Sequence, residues 1–379
     1  MHPSRQQICE SASKKLTAAI PSIGKVKATI GIDGFVDSII AVVDKRHDPQ
    51  RYDAIGTIDL FGKKILRAAG QSSNYELVVK QMKLGGNGPI MANALAAAGI
   101  NVTYIGCVGF PTLHPVFQEL AKRAKVISIA EPGQTDALEF SDGKLMLGKY
   151  AGMSDVTWEN VVTRVGRDKL KSLVQDSQIV GFVNWTMLPY LTDVWKNLLE
   201  SGMLAPVGGK RRMFMVDLCD PEKRKADDIR DAMNLLTRMQ EQVDIVLGLN
   251  LKESTTIAEV MALPVPTDAE AAIEPMAVEI RQKLNLACVV IHPRGGAAAA
   301  TASQSARFPG PFVAHPKIST GAGDHFNAGF CLGRVLGLNL DESLCTGVGT
   351  SGYYVRTAIS PSAQQLSEFI AKLPEPEVA

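Results

Sequence analysis

The sequence predicts an α/β protein with a mostly parallel central sheet, helices on both of its faces, and a small β-sheet lid. Short runs of apolar and β-branched residues recur along the 379-residue chain, and longer segments with helical character lie between them. Strands that alternate with helices form parallel sheets that are covered on both faces. Two regions with strand-like alternation, about 51–82 and 135–150, interrupt this rhythm, and they predict the lid.

The elements follow in order along the chain. A helix-like segment over residues 4–20 comes first, so residues 1–26 are interpreted as an N-terminal helical extension. The strands predicted for the central sheet are residues 28–32, 102–108, 179–183, 213–216, 243–247 and 288–291. The helices predicted between and after them are residues 89–98, 191–201, 226–241, 269–284 and 325–336. No linker rich in Pro, Ser or charge divides the chain, so residues 1–379 are interpreted as one domain.

Two shorter segments carry local predictions. Ser141-Asp142-Gly143-Lys144 predicts a hairpin turn between lid strands at 137–140 and 145–147, because Asp and Gly favour tight turns. The stretch 297–305 has low sequence complexity and is expected to be a flexible or edge segment.

Composition and charge exclude several classes of protein. Hydrophobic residues make up 46% of the chain and charged residues 21%, which is typical of a globular protein. Because 40 Lys and Arg balance 39 Asp and Glu, the net charge of +1 gives no field to attract nucleic acid. No apolar run is long enough to cross a membrane, and Arg5, Glu10, Lys14 and Lys15 interrupt the N-terminus where a signal peptide would need an apolar run. A cytoplasmic protein is expected.

The six cysteines predict neither a zinc site nor a catalytic thiol. They are scattered, with no C-x-x-C pair. A nucleophilic cysteine needs a nearby base. No His lies within ten positions of Cys345, and His114 is only a weak indication beside Cys107.

Polar side chains follow the predicted strands at the points where the strands end. They are Asp33 and Asp37, Asn184, Asp217 and Asp220, Asn250, and His292 with Arg294. Since ligands of open parallel sheets bind at the carboxyl ends of the strands, these side chains could converge on one cleft. The alternative is that each residue serves only a turn or a helix cap, where Asn and Asp are favoured.

The segment 318–330 is the most informative. Gly321 and Gly323 allow a tight turn in which successive N–H groups point into one concavity, and a helix follows directly. Such a place binds anions, yet Asp324 adds a carboxylate to it. This combination suits phosphoryl transfer, in which a base accepts a hydroxyl proton while the anion hole stabilises the transferring group. The alternative is that Asp324 only caps the helix.

A second segment, Gly85-Gly86-Asn87-Gly88-Pro89, opens an Ala-rich helix. The glycines allow a ligand to approach the backbone closely, and Pro89 suits the first helical turn. No Gly-Lys-Ser or Gly-Lys-Thr follows, and neither segment has the G-x-G-x-x-G spacing, so neither is a Walker or dinucleotide motif.

Together, the two segments resemble the two signatures of the PfkB/ribokinase family of carbohydrate kinases. Thr320 to Asp324, with Phe326 and Ala328-Gly329, is similar to that family's T-G-A-G-D-x-F-x-A-G. Asn250 and Glu253 resemble its N-x-x-E, and the resemblance covers about residues 28–369. It implies a ribokinase-like three-layer α/β/α fold and ATP-dependent phosphorylation of a hydroxyl on a small sugar or sugar-like acceptor.

The resemblance also implies a role for each matching residue. Asp324 would be the catalytic base, and Gly321, Ala322 and Gly323 the anion hole for the γ-phosphate. The acceptor would meet Asp33 or Asp37 together with Gly85, Gly86, Asn87 and Asn184. Asn250 and Glu253 would position Mg²⁺ through water and phosphate, and Gly295 with the stretch 347–352, including Gly352, would face the adenine of ATP. Lid strands that pair between subunits would give a homodimer, and an exposed sheet edge is the physical reason.

Two positions depart from the family pattern. Ile318 stands where the family has an Asp associated with a monovalent cation, so activation by potassium is not expected. Ile90 stands where the family has a sugar-binding Asn, so the substrate pocket is not expected to be that of a ribokinase.

Two alternative functions stay open at this point. One is a nucleoside or vitamin-precursor kinase on the same fold, for which Trp185 could offer a stacking surface unless it belongs to the core. The other is a non-catalytic sugar or nucleotide sensor, because a fold does not determine a function.

Overall fold

Strands and helices alternate along most of the chain in the computed structural model, which describes residues 3–377. The strands are β1 (Lys27–Ile32), β2 (Phe35–Arg46), β3 (Tyr52–Ala54), β4 (Leu77–Gly85), β5 (Asn101–Gly106), β6 (Lys125–Ser128), β7 (Gly133–Phe140), β8 (Gly143–Lys149), β9 (Ile179–Phe182), β10 (Met213–Asp217), β11 (Asp244–Leu249), β12 (Cys288–Ile291), β13 (Gly296–Thr301) and β14 (Ser305–Pro309). The helices are α1 (Arg5–Ile23), α2 (Ile58–Arg67), α3 (Asn87–Ala97), α4 (Gln118–Ala121), α5 (Trp158–Val165), α6 (Arg167–Asp176), α7 (Leu191–Glu200), α8 (Ala226–Met239), α9 (Leu251–Val260), α10 (Ile273–Leu284), α11 (Ala322–Val335), α12 (Leu340–Thr357) and α13 (Ala363–Ala371).

The main sheet confirms the predicted architecture. Nine of the described strands lie in the order β14-β13-β12-β11-β10-β9-β1-β5-β6. The pairs from β12 to β6 are parallel, and β13 and β14 add an antiparallel edge. Each strand predicted for this sheet is present, and its ends lie within about two residues of the predicted ends.

Each face of the main sheet carries its own hydrophobic core. One core joins the sheet to α7, α8 and α10, and it includes Trp195 and Leu236. The other joins the sheet to α1, α3 and α11, and it includes Leu16 and Phe330. Neighbouring strand residues belong to different cores because successive side chains point to opposite faces of a sheet, so the strands are apolar on both faces. The result is the three-layer α/β/α arrangement.

The N-terminal extension is the helix α1, as the sequence predicts. Ser4 caps it, accepting a hydrogen bond from the Gln7 N–H, and the Gln7 side chain accepts one from the Ser4 N–H. Its buried side chains, such as Ala12 and Leu16, face α12 and α13. The extension is therefore part of the α-helical layer on one face of the sheet.

The lid is a second sheet in which β3, β2, β7 and β8 follow one another and β4 pairs with the other side of β2. The chain passes from β1 into this sheet through Gly34, where a Cβ would lie 2.0 Å from the Cys107 carbonyl oxygen. The predicted hairpin is present as β7 and β8, with Phe140 paired to Gly143. The long strand β2 was not predicted.

One part of the predicted lid is wrong. Residues 58–67 form the helix α2 rather than a strand. Thr57 accepts a hydrogen bond from the Leu60 N–H at the start of this helix, and Asp59 and Arg67 carry charges at the ends where the helix dipole favours them. These end signals outweighed the short alternation that suggested a strand.

The low-complexity stretch is also placed differently from the prediction. Residues 296–301 form β13, which lies between β12 and β14, and its alanines are buried. Helices α10 and α12 both contact β13, so small side chains fit a strand that is covered on both faces. Of β13 and β14, only β14 lies at an edge of this sheet.

Within residues 3–377, no helix is both long enough and apolar enough to span a membrane.

Candidate active site

A cavity of about 460 Å³ lies at the carboxyl ends of β10, β11 and β12, where the N-terminus of α11 meets them. The predicted site residues that line it are Asn87, Asn250, Glu253, Gly321, Ala322, Gly323, Asp324 and Gly352. Asp217, Asp220, His292 and Arg294, which follow predicted strands, line it as well. The convergence that the sequence suggested for these strand ends is therefore present.

The glycine-rich segment forms a concavity at the start of α11. Gly321 has φ +88°, which favours glycine, and a Cβ there would lie 3.2 Å from Ile90 Cδ1. The next residues begin the helix, where the first N–H groups lack acceptors within the helix and the helix dipole favours an anion. Such a concavity suits an anion such as a phosphate group.

Asp324 is buried in this concavity. Gly321, not Asp324, occupies the N-cap, so the alternative that Asp324 caps the helix is wrong. Burial raises the pKa of Asp324 well above its usual value, and the carboxylates of Asp217 and Asp33 raise it further. A hydrogen bond from Asn87 opposes these effects. Asp324 is therefore a stronger base than an exposed Asp.

Asp217 belongs to the same cluster, although the sequence singled it out only as a residue after a strand. Its two oxygens accept hydrogen bonds from Asn327 Nδ2 at 2.8 Å and from Asn87 Nδ2 at 3.4 Å. Burial and the Glu253 carboxylate raise its pKa well above the usual value. Its position at the end of β10 was the signal that could have identified it.

The carboxylate of Asp33 is hydrogen-bonded to the backbone at the start of α3. Its carboxylate accepts hydrogen bonds from the Asn87 N–H at 2.9 Å, the Gly88 N–H at 2.8 Å and Asn184 Nδ2 at 2.8 Å. A Cβ on Gly86 or Gly88 would lie 2.7 Å or 2.6 Å from this carboxylate. Burial raises the pKa of Asp33 to about 6, against the lowering effect of these hydrogen bonds.

Asp37 lines a second cavity, of about 360 Å³, together with Lys83, Ile90 and Ile318. Gly85 makes room for it, since a Cβ on Gly85 would lie 2.3 Å from Asp37 Oδ2. Burial raises the pKa of Asp37, whereas a hydrogen bond with Thr135 and the charge of Lys83 lower it. The structure thus distinguishes the two candidates: Asp37 faces a cavity, whereas Asp33 and Asn184 are not among the residues that line either cavity.

Asn250 and Glu253 form a capping box at the start of α9. Asn250 Oδ1 accepts from the Glu253 N–H at 2.9 Å, and Glu253 Oε2 accepts from the Asn250 N–H at 2.8 Å. Glu253 Oε1 accepts from the Asp220 N–H at 3.1 Å. Both carboxylate oxygens of Glu253 therefore have backbone partners.

The acidic wall made by Asp217, Asp220 and Glu253 fits a magnesium ion that arrives with a nucleotide. Within the described part of the chain, no three His, Cys, Asp or Glu side chains are grouped to hold a metal by themselves. Mg²⁺ in kinases needs no such group, because one or two carboxylates, water and the substrate phosphates hold it.

Part of the lining of the main cavity is apolar. Phe312, Val348 and Val355 line it beside Gly352, where a Cβ would lie 2.4 Å from Pro311 Cγ. Gly296 lines this cavity. The carbonyl oxygen of the preceding residue, Gly295, accepts a hydrogen bond from the Gly310 N–H at 2.9 Å. Such a surface suits the flat face of a nucleotide base.

Three side chains named in the alternatives belong to the interior. Trp185 is 1% exposed, and its Nε1 donates to Thr192 Oγ1 at 2.7 Å, so it offers no stacking surface. Cys107 and Cys345 are buried, and burial raises the pKa of Cys107 well above its usual value. A hydrogen bond with Cys9 and burial raise the pKa of Cys345 in the same way. Neither thiol has the lowered pKa of a nucleophile.

Comparison with known proteins places this chain in a family. The family model described as prokaryotic ketohexokinase matches residues 5–373. A curated relative, the ketohexokinase of Haloferax volcanii, is 27% identical over 348 residues, which cover 90% of each chain.

Solved structures share the fold at lower identity. The ribokinase of Thermotoga maritima has a TM-score of 0.60 at 15% identity, covering 92% of this chain and 99% of its own. The adenosine kinase of Sinorhizobium meliloti has a TM-score of 0.60 at 17% identity, covering 92% and 98%. The ribokinase of Arabidopsis thaliana in complex with ribose and ATP has a TM-score of 0.59 at 15% identity, covering 91% and 98%.

Proposed function

Because this chain belongs to the prokaryotic ketohexokinase family and is an ATP-dependent carbohydrate kinase of the ribokinase/PfkB type, we propose that it phosphorylates a hydroxyl of a ketohexose. One observation carries the mechanism. Asp324, a buried base, lies in the first turn of α11, directly beside the glycine-rich concavity at that helix's N-terminus. A base and an anion hole in one place are what transfer of a phosphoryl group to a hydroxyl requires.

The acceptor is proposed to lie between Asp324 and the lid. Asp37, whose carboxylate faces a cavity, would accept hydrogen bonds from sugar hydroxyls, and the segment of Gly86 and Asn87 would lie against the sugar. Asp33 and Asn184 would act indirectly, because they hold the start of α3 in place.

The transfer itself follows from these positions. Asp324 takes the proton of the attacking hydroxyl, the new bond forms between that oxygen and the γ-phosphorus, and the bond to the β-phosphate oxygen breaks to release ADP. The Gly323 N–H would stabilise the charge on the transferring group, and the Ala322 N–H would do so once the phosphate replaces the Ser319 carbonyl oxygen, which accepts from it at 3.2 Å. Mg²⁺, held through water near Asn250 and Glu253, would neutralise phosphate charge. The lid would exclude water, which would otherwise accept the phosphoryl group.

The nucleotide is proposed to lie in the main cavity, with its adenine against Phe312 and Gly352. ATP as a substrate supports a cytosolic location. The proposed homodimer would form through the lid, where the strands β4 and β8 expose Val79 and Leu147.

The test is ADP release from MgATP with ketohexoses, aldohexoses, pentoses, nucleosides and no acceptor. We expect turnover with a ketohexose, and a loss of about a thousandfold or more in Asp324→Asn, because proton transfer and geometry are lost together. Asp341→Asn is the matched control, since Asp341 also lies in the first turn of a helix but lines neither cavity.

Other outcomes would overturn parts of the proposal. Turnover with nucleosides alone would favour the nucleoside kinase, and ATP binding without turnover would favour the sensor. Activity that survives in Asp324→Asn would contradict the assigned base.

A further inference from the structure

Both ring nitrogens of His325 are hydrogen-bonded, and their partners determine which nitrogen carries the hydrogen. Nδ1 lies 2.7 Å from the Gly321 carbonyl oxygen, and Nε2 lies 2.8 Å from Ser360 Oγ. A carbonyl oxygen can only accept, so Nδ1 must donate. In the neutral ring Nε2 is then an acceptor, and the Ser360 hydroxyl donates to it.

The hydrogen bonds continue in the same direction away from His325. Ser360 Oγ accepts from Asn93 Nδ2 at 3.0 Å, and Asn93 Oδ1 accepts from Arg123 Nη1 at 3.3 Å. Because a guanidinium can only donate, Arg123 determines which way the Asn93 amide faces. Each side chain in this series of hydrogen bonds donates to the next one toward Gly321, so every donor faces an acceptor.

His325 is held as a neutral ring in a fixed position. It is 1% exposed, and burial lowers its pKa to about 4. Its ring stacks on Tyr354 with the centroids 3.6 Å apart, and the Tyr354 hydroxyl donates to the Thr320 carbonyl oxygen at 3.1 Å. Side chains from α11 and α12 therefore hold two successive carbonyl groups of the glycine-rich loop.

The hydrogen bond from His325 Nδ1 restrains a flexible residue of the glycine-rich loop, Gly321. Gly321 has the positive φ that only glycine adopts easily, and glycine leaves the backbone flexible. The Gly321 carbonyl and the Ala322 N–H belong to one planar peptide group. The carbonyl accepts from the His325 N–H at 3.1 Å as well as from Nδ1, and the Ala322 N–H donates to the Ser319 carbonyl oxygen at 3.2 Å. The Nδ1 bond therefore adds to the backbone bonds that set the plane of this peptide group.

We propose that His325 is a positioning residue for phosphoryl transfer: through Gly321 it orients the N–H groups of the anion hole, and Ser360, Asn93 and Arg123 keep its Nδ1 as the donor. This proposal rests on the proposed function of residues 321–324. It assigns a role to a chain of four side chains that reaches from the start of α11 along the wall of the second cavity.

The kinetic test compares two substitutions of His325. His325→Phe keeps an aromatic ring against Tyr354 but removes both hydrogen bonds, whereas His325→Asn places an N–H donor near the position of Nδ1. We expect kcat to fall roughly 10- to 100-fold in His325→Phe, because an indirect restraint should matter less than a direct anion-hole donor, whose loss costs about 100- to 1000-fold. In His325→Asn we expect kcat to recover largely. His325 also lines the cavity that Asp37 faces, so a change confined to the KM of the sugar would indicate a contact with the acceptor and would overturn the positioning role. His315→Phe, at an exposed position, is the control.

A second measurement does not depend on activity. Long-range ¹H–¹⁵N correlation spectra of the unliganded protein should show the hydrogen of His325 on Nδ1, and Ser360→Ala should weaken this preference. A hydrogen on Nε2 in the wild type would overturn the proposal, even if His325→Phe fails to fold.

The outcomes separate this proposal from the proposed function. An inactive wild type would contradict the kinase assignment, whereas the spectra would still test the hydrogen-bonded chain. An active wild type with equal kcat in His325→Phe, or with no recovery in His325→Asn, would overturn the positioning role alone.

Discussion

Single residues at the start of α3 show why this segment is rich in glycine. Gly85 leaves space for the carboxylate of Asp37, and Gly86 and Gly88 leave space for that of Asp33. The sequence suggested that these glycines let a ligand approach the backbone. In the structure they also make room for two buried carboxylates, that of Asp33 just after β1 and that of Asp37 in β2. No local sequence pattern reveals these contacts.

Gly88→Ala should destabilise the protein. The new Cβ would lie 2.6 Å from Asp33 Oδ1 and 2.7 Å from the Tyr104 hydroxyl, both of them buried. We expect a loss of about 1–3 kcal/mol in the free energy of unfolding, typical of overpacking. Chemical denaturation measures it, and Gly62→Ala in α2 is the control, because a Cβ at Gly62 meets nothing within 4 Å. Equal stability of the two variants would contradict the close fit.

Asp217→Asn should shift the pH dependence of the reaction. The Asp217 carboxylate raises the pKa of Asp324, so its removal lets Asp324 ionise at lower pH. The acidic limb of kcat/KM should therefore move to lower pH. Asp341→Asn serves again as the control, and an unshifted limb would mean that the two carboxylates do not interact.

Among the elements, the lid departs most from its sequence prediction. The hairpin of β7 and β8 was predictable because Asp-Gly turn chemistry is local. The helix α2 was not, because its apolar face is short and Phe61 is buried mainly against lid residues such as Tyr75 and Phe140. Contacts of that kind, formed with residues distant in sequence, override a weak local preference.

The lid strands β4 and β8 should mediate dimer formation. In the lid sheet β4 pairs with β2 and β8 pairs with β7, and both strands expose apolar side chains, including Val79 at 51% and Leu147 at 52%. We expect a dimer in sedimentation equilibrium, and a shift toward monomer in Val79→Lys/Leu147→Lys, because charge blocks edge pairing. Leu66→Lys on α2, at a 76% exposed position, is the control. A monomeric wild type would contradict the prediction.

At the scale of the whole molecule, the site is assembled by topology. β1 lies between β9 and β5, so Asp33 and Asn184, which follow β1 and β9, meet although 151 positions separate them. In the same way β10 brings Asp217 to Asn327 of α11. The strand order of the sheet, rather than distance along the chain, decides which side chains converge.

The sequence by itself determined the layered α/β fold, the glycine-rich segment with Asp324 that we propose as anion hole and base, and the family resemblance. These features depend on local periodicity and on short motifs whose geometry is set within a few residues. Only the tertiary structure separated Asp37 from Asp33, brought Asp217 to Asp324, tied Glu253 to two backbone N–H groups, and gave His325 its partners. Those assignments depend on burial and on hydrogen bonds between distant segments, which exist only once the chain has folded.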